Sequence, residues 1–210
     1  MKILITGIAG FAGSKIASGL ISLHPRIEII GLDNFSRKGT EQNIHPLSKD
    51  GINVIRGDIR SQSDVDSLPA VDWIIDCAAN PSVLAGLDDQ VSSRQVMEHN
   101  LTGTINLLEY CKRHNSGLIL LSTSRVYSAL ELANLPVKSS NDRLDLQQSS
   151  IAGLSDLGIS ESFPTSAPIS LYGASKLASE QIILEYGYNF DIPIWINRCG
   201  VLAGAGQFGK

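Results

Sequence analysis

Tyr172 and Lys176 stand four residues apart in the stretch YGASKLASEQ, a spacing that puts both side chains on one face of a helix. A phenol ordinarily ionises near pH 10 or so. A neighbouring ammonium charge favours its ionised form and makes it a usable general base near neutral pH. Upstream, LILLSTSRVY carries an apolar run into Ser122, Thr123 and Ser124, which places hydroxyl groups where a strand would end. A hydroxyl from Thr123 is suited to hold the oxygen from which Tyr172 takes a proton. Tyr and Lys at this spacing are common on exposed helices and prove nothing alone; their weight comes from the residues that precede them.

Those residues begin with ITGIAGFAGS, in which Gly7, Gly10 and Gly13 have the G-x-x-G-x-x-G spacing directly behind an apolar run. A lone glycine-rich stretch can be a plain tight turn. Between a strand and a helix, however, it is a variant of the dinucleotide fingerprint. Gly7 would permit the turn, Gly10 the close approach of a pyrophosphate to the helix N-terminus, and Gly13 tight packing of helix on strand. Phe11 and Ala12 complete the cofactor side of the loop. The next apolar run ends in Asp33, 20 residues after Gly13, where a carboxylate can accept hydrogen bonds from the adenosine ribose. Asp33 would also repel a 2′-phosphate, so NAD is expected over NADP, with Arg37 close behind to soften the preference. Asp58 could reach the adenine edge, with Ile59 against the ring, or could cap a helix starting near Ser61. Ala78 and Ala79 could let phosphates and ribose pass over the backbone, or be small for packing. With NAD in this loop, the nicotinamide charge adds to that of Lys176 beside the phenol.

The elements that must hold these residues alternate. Short apolar runs near 2–6, 27–32, 52–56, 71–77, 117–121 and 192–197 read as strands buried on both faces. Amphipathic stretches near 12–23, 41–49, 61–67, 90–115 and 171–188 read as helices between them. Strict alternation implies an α/β fold: a Rossmann-like, doubly wound parallel sheet over residues 1–210, with ligands beyond the carboxyl ends of the strands. Residues 128–170, rich in Ser, Asp and Pro, are too long for a structureless connection unless they line a site; a mobile surface loop is the alternative. A formal charge of −4 and the lack of a basic block argue against nucleic acid or an anionic membrane as partner. The apolar run after Met1 and Lys2 stops too early for a signal peptide or a membrane span, so a cytoplasmic protein is expected. Cys77, Cys111 and Cys199 are odd in number and far apart, as expected of reduced thiols filling a core. No metal site is expected.

Taken together, TGIAGFAG, STSRVY and YGASK resemble the extended short-chain dehydrogenase/reductase superfamily, the nucleotide-sugar epimerases and dehydratases. LDNFSRKGTEQNIHPL, GDIR, HNLTGTINLLE and RCGVLAGAGQFGK are most similar to its CDP-paratose 2-epimerase (CDP-tyvelose epimerase) branch. The resemblance implies that Thr123, Tyr172 and Lys176 are catalytic. Asn100 would be the helix asparagine near the active site, and Asp33, Asn34, Ser36 and Arg37 would surround the adenosine ribose. Ser124, Arg125 and Arg198 would fall on the substrate side. Ser128 replaces a frequent glycine, Cys77 a frequent histidine, and Val201 the asparagine of sugar-nucleotide dehydratases. Relatives run well past 300 residues and hold the nucleotide-sugar with a smaller C-terminal domain, so that domain is expected to lie beyond residue 210 and this fragment to be inactive alone. A dehydratase of this superfamily needs an Asp-Glu pair after the catalytic threonine; here Ser124 and Arg125 stand there, which disfavours dehydration. The implied activity is NAD-dependent epimerisation of a CDP-hexose at C2 through a 2-keto intermediate, in polysaccharide biosynthesis, by a homo-oligomer when full length. A 4-epimerase, dehydratase or reductase of the superfamily, and a non-catalytic NAD-binding regulator, are the alternatives.

Overall fold

Side chains alternate across a strand, and Ile3, Leu4 and Ile5 show how this splits the core in two. Ile3 and Ile5 pack on one face with Ala17 and Leu47, whereas Leu4 packs on the other with Val65, Leu107 and Ile183. The computed structural model describes residues 1–80, 82, 84, 92–140, 143–147 and 150–207. In chain order, β1 (Lys2–Thr6), α1 (Phe11–Leu23) and β2 (Glu28–Asp33) lead through a 3₁₀ turn, Thr40–Asn43, to α2 (Ile44–Lys49) and β3 (Asn53–Arg56). Then come α3 (Gln62–Asp66), β4 (Trp73–Asp76), α4 (Ser93–Met97), a π-helical turn Glu98–Thr102, α5 (Gly103–His114) and β5 (Gly117–Thr123). A 3₁₀ turn Ser124–Val126, α6 (Ala129–Ala133), β6 (Val137–Ser140), β7 (Arg143–Leu146), β8 (Leu154–Ser155) and β9 (Gly158–Ile159) precede α7 (Ser170–Phe190) and β10 (Ile194–Cys199).

All six expected core strands form, within two residues of their expected ends. They make one sheet in the order β10-β5-β4-β1-β2-β3, and every adjacent pair is parallel. The architecture is the Rossmann-like doubly wound sheet. Its order reverses between β1 and β4, which opens a crevice at their carboxyl ends. The single helix expected over 90–115 is instead α4, the π-helical turn and α5, and residues 90 and 91 lie outside those described. The stretch expected over 41–49 is divided between the 3₁₀ turn and α2, whose first turn accommodates Pro46 because an N–H there has no helical partner to lose.

The segment 128–170 is not a structureless connection. Ser128 caps α6, and β6 pairs with β7, and β8 with β9, as antiparallel hairpins. Val126, Tyr127 and Phe163 form a small core of their own with Leu132, Ile151 and Leu177, which fastens the segment to α7. On the sheet face shared with α1, β5 and β10 are less well covered: Ile119 and Leu121 are half-buried, and Trp195, register partner of Ile119, is 63% exposed. Among the described residues, no helix is long and apolar enough to cross a membrane.

Candidate active site

The glycine loop between β1 and α1 has no room for side chains. Gly7 has φ +61°, and a Cβ there would lie 2.9 Å from the Ala78 Cα. A Cβ on Gly13 would meet the Gly7 carbonyl oxygen at 2.4 Å, and one on Gly10 would meet it at 3.1 Å. The turn and the helix-to-strand packing expected of Gly7 and Gly13 are therefore present. Gly10 is the N-cap of α1 and offers no side-chain acceptor, so the first amides of this 13-residue helix are available to an anion. Phe11 and Ala12 open the helix half-buried. Ala78 donates its N–H to Thr6 Oγ1 at 3.2 Å, which ties the ends of β4 and β1, while Ala79 is exposed.

Asp33 is fixed at the end of β2. Its oxygens accept from the Ala9 and Phe35 amides at 2.9 and 2.8 Å, and burial raises its pKa above the ordinary value. Asn43 donates to the Ala9 carbonyl at 2.8 Å, so this loop residue is held through both its N–H and its carbonyl. Asn34 donates to Asp58 at 3.0 Å and accepts from the Ser36 amide, while Ser36 and Arg37 are exposed beside it. Asp58 does not cap α3. Ser61 does that, accepting from the Asp64 amide at 3.3 Å. Asp58 instead binds Arg60, with Nη2 2.6 Å from Oδ2, and that guanidinium holds its carboxyl well below the usual carboxylate range. The Ile59 side chain is 7% exposed and packs into the core, so close to Gly103 that a Cβ there would lie 2.3 Å from Cδ1.

Thr123 ends β5, and its Oγ1 accepts from the Arg125 amide at 3.2 Å. Tyr172 and Lys176 lie on the buried face of α7, with the Tyr172 phenol beside the Thr123 side chain. Gly173 permits this approach, because a Cβ there would stand 2.3 Å from the Arg125 carbonyl oxygen. Burial raises the phenol's pKa, and the Thr123 side chain and the charge of Arg125 oppose this. Lys176 is 1% exposed; burial lowers its own pKa, against the attraction of buried Asp76. Asp76 is itself held by Thr6, which donates at 2.6 Å. Cys111 is core, but Cys77 and Cys199 are half-buried and close enough to Lys176 to act on its charge; burial pushes both thiols up.

The π-helical turn carries Asn100, which bridges two parts of the site. Its Oδ1 accepts from the Asn80 amide at 2.8 Å, its Nδ2 donates to Ser175 on α7 at 2.9 Å, and its carbonyl accepts from Ser179 at 2.9 Å. Ser124 is half-buried and Arg125 exposed past the end of β5. Arg198, expected on the substrate side, is engaged within the fold: its Nη2 lies 2.7 Å from Glu180 Oε2 and its Nη1 donates to the Glu161 carbonyl at 2.8 Å. Sequence reasoning missed Asn43, Asp76, Gly173 and Glu180. Glu180 alone had a legible signal, since it continues the row begun by Tyr172 and Lys176 at the same interval.

A parallel sheet with a glycine-lined crevice at its switch point, and a Tyr, Lys and Thr group beside it, is the architecture of a dinucleotide-binding α/β protein. Residues 3–210 match the NAD dependent epimerase/dehydratase family, and the chain belongs to that family. It is 31% identical over 214 residues to the CDP-paratose 2-epimerase of Salmonella typhi, covering 99% of this chain and 59% of that protein. It is 27% identical over 200 residues to a dTDP-glucose 4,6-dehydratase of Mycobacterium tuberculosis, covering 95% of this chain and 53% of that one. The crystal structure of UDP-glucuronic acid 4-epimerase from Bacillus cereus with UDP-glucuronic acid and NAD superposes with a TM-score of 0.71 at 28% identity, over 94% of this chain and 56% of that one. The chain thus spans little more than half the length of these relatives.

Proposed function

We propose that this chain is the NAD-binding part of a nucleotide-sugar epimerase that inverts C2 of a CDP-hexose, interconverting CDP-paratose and CDP-tyvelose or a close analogue. The observation that carries the reading is the placement of Tyr172 beside Thr123, with buried Lys176 one turn further along α7, at the carboxyl end of β5. The glycine cradle and uncapped α1 N-terminus fit a pyrophosphate, and the fixed Asp33 carboxylate fits a ribose diol. When bound, NAD supplies a reversible hydride acceptor and a positive charge beside the phenol.

C2 of a hexose has no neighbouring carbonyl to acidify it, so inversion by oxidation and re-reduction is the economical route. Tyr172 takes the proton of the 2-hydroxyl while Thr123 holds that oxygen, and the carbon-bound hydrogen departs as hydride to leave a ketone. After the sugar presents its other face, hydride returns to carbon and Tyr172 returns the proton to oxygen, with no net redox change. Ser124 and Arg125, the residues after Thr123, are not carboxylic acids and cannot act as a dehydratase's acid and base. The relative named above as a 2-epimerase supports the same choice.

The test is the full reading frame incubated with CDP-sugars deuterated at C2. Inversion with retention of the label supports the proposal. Washout into water would indicate a deprotonation route, and inversion at C4 would make the protein a 4-epimerase.

A further inference from the structure

Glu180 is a carboxylate at 2% exposure on the face of α7 that meets the sheet, and every polar contact it makes is to the strands that end at the site. Arg198 of β10 donates to it through Nε at 3.1 and 3.2 Å and through Nη2 at 2.7 Å. Ser122 of β5, next to Thr123, donates to its Oε1. The same guanidinium donates to the Glu161 carbonyl at 2.8 Å and lies 5.3 Å over the Tyr127 ring, so the clamp also grips segment 128–170. The apolar contacts of α7, such as Ile183 in the main core and Leu177 in the small one, are non-directional and would tolerate a small slide or rotation of the helix. A bidentate pair is geometrically exacting.

We propose that Glu180 and Arg198 are positioning residues, which set the register of α7 against β5 and β10 and thereby keep the Tyr172 phenol beside the Thr123 hydroxyl. This rests on the reading of Tyr172 and Thr123 as the reactive pair. Arg198 is therefore part of the machinery through Glu180, not through the sugar. The groups acting on the phenol are Thr123 and Arg125 from the end of β5 and Cys199 from β10; those acting on Lys176 are Asp76 and Cys77 from β4, Glu180, and Cys199.

The experiment needs no turnover. In the 210-residue chain labelled with ¹³Cζ-tyrosine, the Tyr172 resonance, assigned with Tyr172→Phe, is titrated with pH. Thr123→Val removes the neighbouring hydroxyl, which favours the phenolate, and should move the Tyr172 midpoint up. Glu180→Gln should move it up too, and adding Thr123→Val to Glu180→Gln should produce little further shift, because the phenol has already moved away from that hydroxyl. Removing the Glu180 charge alone would move the midpoint down, so the sign separates positioning from charge. If Glu180→Gln fails to fold because Arg198 is left unpaired, the double variant Glu180→Gln/Arg198→Gln, which buries no charge, should show the same upward shift. A midpoint that responds to Thr123→Val but not to the folded clamp variant overturns the clamp alone. No response to Thr123→Val overturns the reactive pair, and the clamp with it.

Discussion

In the proposed mechanism Tyr172 acts as a base, at a place where burial favours its neutral form. The sequence pointed to the tyrosine, the lysine and the threonine hydroxyl through their order and spacing. It could not show that Lys176 would be fully buried near Asp76, because that requires β4 and α7 to meet across 100 residues of chain. For the same reason Arg198 was legible as a cation near the site but not as the partner of Glu180. Replacing the phenol tests its role most directly. Tyr172→Phe in the full-length protein removes the proton carrier but leaves the glycine cradle and Asp33 untouched. Turnover should fall by about two to four orders of magnitude while NAD affinity is nearly unchanged. Steady-state kinetics with a binding titration checks this, and turnover within a fewfold of the parent would remove Tyr172 from its assigned role.

At the scale of elements, most of the fold was readable because strands buried on both faces are short apolar runs, and their alternation with helices fixes a parallel sheet. What was not readable was local. The π-helical turn within 90–115 has no sequence period of its own; it gives up regular pairing to let the Asn100 carbonyl accept from Ser179. The hairpins of 128–170 were hidden because their strands are two to four residues long and largely exposed. Glycines show the difference between a structural need and a tolerance. Gly173→Ala would put a methyl 2.3 Å from the Arg125 carbonyl oxygen, a backbone atom that cannot swing aside, so α7 must back away. A loss of about 1–3 kcal/mol is expected from such overpacking. Gly19, within α1, has nothing within 4 Å of a built Cβ. Gly19→Ala should therefore stabilise the chain by about 0.4–1 kcal/mol through helix propensity and reduced unfolded-state freedom. Urea denaturation of the two variants side by side measures both signs, and two effects of the same sign would show that the glycine contacts are misjudged.

Over the whole molecule, the two faces of the sheet are unequally covered. The face carrying Leu4 is covered by α3, α5 and α7 from one edge to the other. The opposite face is covered by α1 and α2 over β1, β2 and β3, and among the described residues no helix lies over β5 and β10 on that side. Ile119, Leu121 and Trp195 are left on a common surface, with the Trp195 indole donating only to Asn197, at 2.8 Å. A net charge of −4 on 210 residues supplies little repulsion to keep two such surfaces apart. The 210-residue chain should accordingly self-associate through this face. Burying one large aromatic contributes roughly 2–3 kcal/mol, so Trp195→Lys should weaken the association by about tenfold or more while the circular dichroism of the chain is unchanged. Sedimentation velocity across a concentration series reads this as an average mass that climbs for the parent and stays near 22.5 kDa for the variant. A parent chain that remains monomeric at the highest concentration reached, or a variant that associates as strongly as the parent, would show that the bare end of the sheet is not the surface through which copies meet.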